Sequence, residues 1–243
     1  IEAKERSEAK AAPKKDKMGR IIASIPSSVP DFSSIYDITE KKKAFFDYFY
    51  PIVLDENNKI LAERKILLSN DKNSAAVKRL CVKYSSDCDV VTAEQQHLLM
   101  KRIDVVPPAL ALAQAAKESG WGTSRFAIEA NNYFGQWCYQ KGCGLVPASR
   151  IDGANHEVRK FDSPQNSVRS YLFNLNTGRA YADFRQMRLD ARGENREFTG
   201  HELAQSLLYY SERREAYVEE VQSFIRFNQL IEYDEAFWQL VAR

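Results

Sequence analysis

The chain has 243 residues, with 35 Lys and Arg against 33 Asp and Glu and a formal net charge of +2; so even a balance gives no electrostatic case for nucleic acid or an acidic membrane as partner. Hydrophobic residues make up 44%, including 13 Phe and 12 Tyr, enough for a substantial core in one domain with an extension or in two small domains. No run of about eighteen apolar residues occurs, so no transmembrane helix is encoded.

Residues 1 to about 20 are mostly Ala, Lys, Glu and Asp and cannot bury enough surface to offset their ordering entropy, which predicts a flexible linker. The start at Ile1, without Met, suits either a mature chain whose signal peptide has been removed or a shortened one. Pro26 and Pro30 keep "IPSSVPDFSS" extended, so the linker is taken as 1–30. Asp37-Ile-Thr-Glu40 resembles a capping box ahead of "KKKAFFDYFYPIVLDENNKILAERKILL". The apolar residues there recur at helical spacing, and Pro51 is expected to kink or split the helix. Residues 31–90 are therefore read as a helical extension packed on a catalytic domain at 91–243.

Thr92-Ala-Glu-Gln95 opens the next helix, which should stop before Pro107-Pro108. An alanine-rich helix then begins at Pro108 or Ala109, carries Glu118 near its end, and is closed by Gly120 and Gly122. Asp152-Gly153 lies between two short candidate strands and predicts a hairpin. Ser163-Pro164 starts a helix with Val168, Tyr171, Leu172 and Leu175 on its core face. Thr199-Gly-His-Glu202 reads as another capping box, opening "HELAQSLLYYS", and a last long amphipathic helix runs through "EAYVEEVQSFIRFNQLI". The fold class expected is α+β, mainly α, with one small hairpin.

The four cysteines form two close pairs, Cys81/Cys88 and Cys138/Cys143. Three connectivities exist; local pairing closes two small loops and suits an oxidising compartment. Zinc is the competing reading, but neither pair has two-residue spacing and no histidines accompany them. Reduced, buried thiols are the remaining alternative. There is no phosphate loop, no dinucleotide-binding turn and no nucleophile elbow. "HELAQ" has Gln205 where a zinc-protease helix needs its second His. No metal and no cofactor are expected.

Carboxylates remain as the acid–base groups, and Glu118 is the best placed. It shares a helix face with Ala111, Gln114 and Ala115, and it lies at a helix C-terminus, where the macrodipole disfavours negative charge. Desolvation and the dipole both raise a carboxyl pKa, as a general acid near neutrality requires. The alternative is an exposed Glu118 paired with Lys117. Trp121 and then "ANNYFGQW" follow, offering aromatic faces and amide groups of the kind a sugar needs; the alternative there is an aromatic core cluster.

"AQAAKESGWGTSRFAIEANNYFGQW" resembles the glucosaminidases of glycoside hydrolase family 73, which carry an Ala-rich helix ending Glu-Ser-x-x-Gly followed by Asn-x-Phe-Gly. The resemblance extends over roughly 31–243, through "KFDSPQNSVRSY", and the upstream helix narrows it to the bacterial Bax-type proteins within that family. It implies a lysozyme-like fold with Glu118 as general acid beside a peptidoglycan cleft. A cleft-lining tyrosine is implied in "YYSERREAY": Tyr210, with Tyr209 as its rival. Asn132 and Phe134 carry over as substrate wall, with Tyr133 between them and with Trp121 and Trp137 alongside. Many family members place a second carboxylate in the hairpin's first strand, but "PASRI" has none. Of Asp152 and Glu157 nearby, Glu157 is preferred, since an Asp-Gly aspartate is used up in its turn.

The expected activity is hydrolysis of the β-1,4 bond between N-acetylglucosamine and N-acetylmuramic acid in peptidoglycan glycan strands, by a monomer in the bacterial periplasm or envelope. The rivals are a lytic transglycosylase or muramidase on the same fold, and a non-catalytic peptidoglycan-binding module.

Overall fold

The computed structural model describes residues 14–15, 21–22, 24–85, 88, 90–148, 150, 153 and 155–242. Within the expected linker, Lys14–Lys15 (β1) and Ile21–Ile22 (β2) pair as a short antiparallel ladder; residues 1–13, 16–20 and 23 lie outside the described ones. Asp37 accepts hydrogen bonds from the Thr39 and Glu40 amides and so starts α1, Ile38–Ser69. α1 runs through Pro51 without being split. Phe49, Ile52, Val53 and Leu54, on both sides of the proline, are all buried in the same core. Each such side chain contributes about 1.5–3 kcal/mol, which together outweighs the roughly 3 kcal/mol a mid-helix proline costs.

Ser74 caps α2, Ala75–Tyr84, and the Cys81–Cys88 disulfide ties its end to the following loop. Thr92 and Gln95 form a reciprocal capping box at α3, Ala93–Arg102. The link to the next helix is pinned by Asp104, which is buried, accepts from the Arg192 guanidinium and lies 3.6 Å from that of Arg64. Burial would raise this carboxyl, but the surrounding arginines hold it below its ordinary value.

α4, Pro108–Ser119, begins with proline at its first turn and ends at Gly120 in the left-handed conformation. From Ala109 to Ala116 no residue is more than 1% exposed. A helix buried on every side needs small side chains so that its neighbours can approach, and α4 is contacted by α1 and by the three helices near the C-terminus. Its N-terminus is held by Asp234, whose two carboxylate oxygens accept from the Ala109 and Gly200 amides.

Ser124 caps the short α5, Arg125–Ala130. Three short strands follow, β3 (Trp137–Cys138), β4 (Gly144–Leu145) and β5 (Glu157–Arg159). β5 is central and antiparallel to both, with Trp137 and Leu145 opposite Val158. The expected hairpin is β4 paired with β5, and β3 joins β5 on its other edge. Asp152 lies outside the described residues. Ser163 and Pro164 start α6, Pro164–Thr177, and its predicted stripe of Val168, Tyr171, Leu172 and Leu175 is buried.

α7 spans Ala182–Gly193. Thr199 accepts from the Glu202 amide at α8, Gly200–Leu203, but the Glu202 carboxylate pairs with Arg196 and the helix gives way to a 3-10 turn at Ala204–Ser206. The expected last helix over 215–231 ends early as α9, Glu215–Phe227, and a further helix that was not expected, α10, Ile231–Ala242, follows it. They are separated where Gln229 takes φ 54° and the Leu230 amide closes back onto Ile225. The fold is α+β and mainly helical. A single hydrophobic cluster runs from Phe32 to Leu240, so α1 shares one core with α4.

Candidate active site

The residues after Glu118 fold into a tight reversal. Gly120, Trp121 and Gly122 all have positive φ, of 57°, 59° and 78°. The Ser119 hydroxyl donates to the Ala115 carbonyl and accepts from the Gly122 amide, so the serine that follows the glutamate builds the turn. A Cβ on Gly122 would lie 2.3 Å from Cδ2 of Phe32, so both the φ and the space require glycine there. Trp121 is anchored between Phe45, Phe46 and Phe224, which holds a bulky residue in a backbone region that costs about 1–2 kcal/mol. Its indole thus joins α1 to α9.

Glu118 is half-buried on the last turn of α4. Its Oε1 accepts a hydrogen bond of 2.7 Å from the Tyr217 hydroxyl. Burial raises its pKa; the Tyr217 hydrogen bond and the Lys117 ammonium oppose this and the Glu220 carboxylate adds to it, leaving the carboxyl above its ordinary value. Lys117 does not pair with Glu118: it reaches Glu220 at 2.5 Å, which also binds Arg213. The Tyr217 ring stacks on Tyr210, centroids 5.4 Å apart and planes 10° apart. Tyr210 donates its hydroxyl proton to the Phe134 carbonyl.

That carbonyl belongs to a turn built by Asn132. The buried Asn132 amide donates to the Gln136 and Arg159 carbonyls and accepts from the Phe134 and Gln136 amides. All four of its hydrogen-bonding positions are spent on backbone. The turn places Gly135, exposed and at φ 63°, beside the acid: a Cβ there would lie 3.9 Å from Glu118 Oε2. Oε2 accepts no hydrogen bond among the described residues.

The predicted aromatic set divides by exposure. Tyr133 and Phe134 are buried, the first against Phe49 and the second stacked on Tyr171 at 4.0 Å. Trp137, 55% exposed and stacked on His156, and Tyr209, 61% exposed under the Arg214 guanidinium, keep faces open to solvent. Glu157 is buried on β5, where its two oxygens accept from the Gly142 and Gly144 amides at 2.9 and 2.8 Å. Those donors hold its carboxyl below the ordinary value. It clamps the loop closed by the Cys138–Cys143 disulfide. Cys138, Cys143 and Glu157 are also the single group of three clustered metal-type ligands among the described residues, and its two sulfurs are bonded to each other.

Two features escaped the sequence reading. Tyr217, at the end of the quoted "YYSERREAY", is the tyrosine that touches Glu118. Glu220, one turn further along α9, is the carboxylate whose charge Glu118 feels. A groove of about 760 Å³ between α1, α2 and α6, walled by Glu56, Lys83, Arg159 and Phe173 among others, contains none of the predicted catalytic or substrate-binding residues. At the Glu118 site a half-buried carboxyl, the stacked Tyr210 and Tyr217 rings and an exposed glycine come together.

Residues 93–230 match the glucosaminidase family, described as mannosyl-glycoprotein endo-beta-N-acetylglucosaminidase. The protein bax of Escherichia coli (strain K12) is 32% identical over 202 residues, which cover 79% of this chain and 71% of that one. No solved structure matches the chain.

Proposed function

Because the chain belongs to the glucosaminidase family, as a Bax-type member of it, we propose that it is a peptidoglycan hydrolase. It cleaves the β-1,4 bond on the reducing side of N-acetylglucosamine, with Glu118 as general acid. One observation carries this reading: a half-buried carboxyl held above its ordinary pKa, one oxygen bonded to Tyr217 and the other beside exposed Gly135. Burial favours the protonated form of such a group, the form that can deliver a proton to a leaving oxygen. The family description speaks of a mannosyl-glycoprotein and of an endo-beta-N-acetylglucosaminidase; the relative is from a bacterium, and peptidoglycan is the bacterial polymer that offers such an enzyme internal β-linked N-acetylglucosamine.

Of the two candidates for a second carboxylate, Asp152 lies outside the described residues and Glu157 has both oxygens engaged, as has Glu220, the carboxylate on α9 near Glu118. Glu157 is spent on two amides and Glu220 on Lys117 and Arg213. This supports a route in which the substrate's own acetamido oxygen attacks the anomeric carbon. The glycosidic bond breaks as Glu118 gives its proton to the leaving oxygen. Water then opens the cyclic intermediate and returns a proton to the Glu118 carboxylate, with net retention. Trp137 and Tyr209, whose faces are open to solvent, and the half-buried Tyr210 ring supply apolar faces for the sugar.

In this reading 91–243 is the catalytic domain, 31–90 a helical extension whose Phe45 and Phe46 brace Trp121, and 1–30 a charged linker. The two disulfides support an extracytoplasmic site of action, and the protein works as a monomer. Purified peptidoglycan digested with wild type and Glu118→Gln, reduced and analysed by mass spectrometry, tests the proposal. Reduced N-acetylglucosamine ends from wild type alone are expected. Reduced or anhydro N-acetylmuramic acid ends would move the activity to a muramidase or lytic transglycosylase, and binding without products would make it a wall-binding module.

A further inference from the structure

Behind Glu118, three buried groups stand in single file on three helices. The Tyr171 hydroxyl on α6 donates to Gln114 Oε1 on α4. Gln114 Nε2 donates to the Tyr217 hydroxyl on α9 at 2.8 Å, and Tyr217 donates to Glu118 Oε1 at 2.7 Å. Gln114 is fully buried, and Tyr171 and Tyr217 are 1% and 3% exposed. Gln114 and Glu118 lie four residues apart, on one face of α4.

The direction of this chain has a chemical consequence. A tyrosine has one proton to give, and an amide is a donor at one end and an acceptor at the other. With the Gln114 carbonyl taken by Tyr171, its amino group must face Tyr217. Tyr217 then has only Glu118 to donate to. In the reversed order Tyr217 would give its proton to Gln114, and Glu118 could keep a 2.7 Å contact only by pointing its own proton inward. We infer that Gln114 is a positioning residue for the acid: by directing the Tyr217 proton onto Oε1, it leaves the carboxyl's own proton on Oε2, the oxygen beside exposed Gly135. The inference rests on the reading of Glu118 as general acid, and it explains why a fully buried glutamine sits on an otherwise alanine and leucine face.

Three variants test it. In Gln114→Glu the new group accepts from both tyrosines and draws the Tyr217 proton away from Glu118. kcat should fall by about 10²-fold or more, the scale of a misdirected general acid, with KM changed by less than about threefold. The alkaline limb of the kcat profile should move to higher pH, because Glu118 loses its donor. Gln114→Met fills similar volume and leaves Tyr217 free to donate, so its loss should be only about tenfold with little movement of the limb. Tyr171→Phe frees the Gln114 carbonyl and should fall between them; if Gln114→Glu fails to fold, these two variants carry the test.

Titration of the Glu118 carboxyl by carbon NMR in wild type and variants requires no turnover. A raised Glu118 titration in Gln114→Glu, and not in Gln114→Met, is the expected result. Equal titration curves in all variants, or losses in kcat that track the fall in melting temperature, would overturn the inference. A shifted titration together with a wild type that releases no sugar ends would overturn the proposed activity and leave the positioning intact.

Discussion

Gly135→Ala separates the work of the site from the stability of the fold. At φ 63° an L-residue costs about 1–2 kcal/mol, and the added Cβ meets only Glu118 Oε2, at 3.9 Å, an ordinary contact without a clash. For a protein of this size that cost lowers the melting temperature by roughly 2–8 °C. The effect on chemistry should be larger. A general acid has to come within about 2.6–3.2 Å of the oxygen it protonates, and the new methyl occupies the approach to Oε2. A displacement of about 1 Å costs on the order of 10²-fold, so kcat/KM should fall by about that factor at temperatures where the variant is fully folded. Gly122→Ala is the opposing control. Its Cβ would lie 2.3 Å from Phe32 at φ 78°, so overpacking of about 1–3 kcal/mol adds to the same backbone cost of about 1–2 kcal/mol. Thermal unfolding by circular dichroism and sugar-end release from purified walls measure the two losses. If Gly135→Ala stays within threefold of wild-type activity, Oε2 does not face the substrate and the acid's orientation has been misassigned.

Glu157→Gln keeps one acceptor for the Gly142 and Gly144 amides and loses the other, so activity should drop by less than about tenfold; a loss near 10³-fold, the scale of general acid–base catalysis, would make Glu157 part of the chemistry. Because its carboxyl is lowered in the folded state, its contribution to stability is present above about pH 4 and disappears as pH falls through the folded value; the wild-type advantage over Glu157→Gln in denaturant should shrink on acidification. Asp234→Asn leaves one of two buried helix-start amides without a proper acceptor and should cost about 1–3 kcal/mol in urea unfolding. Burial pushes Asp234 up to about 7, so the folded state binds the extra proton between about pH 4 and 7 and this residue's share of stability declines as pH rises through that window; the variant should lose that slope. Reduction of Cys81–Cys88 and Cys138–Cys143 opens two short loops worth about 2–3 kcal/mol each by loop entropy, and a melting temperature unmoved by reductant would contradict that.

Much of the frame was legible because its signals are local. Proline at the start of α4, glycine at its end and an apolar face all the way round identify a central helix. The caps at Asp37, Ser163 and Thr92 are written within four residues of the amides they satisfy. Pro51 misled for a physical reason: burial along both halves of α1 outweighs the local penalty, and burial is not local. The break at Gln229 went unseen because an apolar pattern continues across it, in "IRFNQLI".

The site was legible in the same proportion. Glu118 was singled out from its own helix, and its half-burial was legible there. Asn132 was read as substrate wall and Glu157 as a second carboxylate from the family resemblance, yet both are spent on backbone groups close by, Asn132 on Phe134 and Gln136 and Glu157 on Gly142 and Gly144. Short polar side chains in tight turns commonly bond to nearby backbone, and for Asn132 that rule favoured the local reading.

The choice among tyrosines turned on a contact across 99 positions, but a usable signal existed. Tyr217 precedes Val218, Val221 and Ile225 on the buried stripe of α9, so it had to face a neighbouring helix, and the small side chains of α4 are what an aromatic stripe can approach. Tyr209 and Tyr210 precede α9 and carry no such constraint. A tyrosine that opens a buried stripe, with a hydroxyl needing a partner, should be looked for beside the carboxyl at the end of an alanine-lined helix, ahead of any tyrosine in the connecting turn.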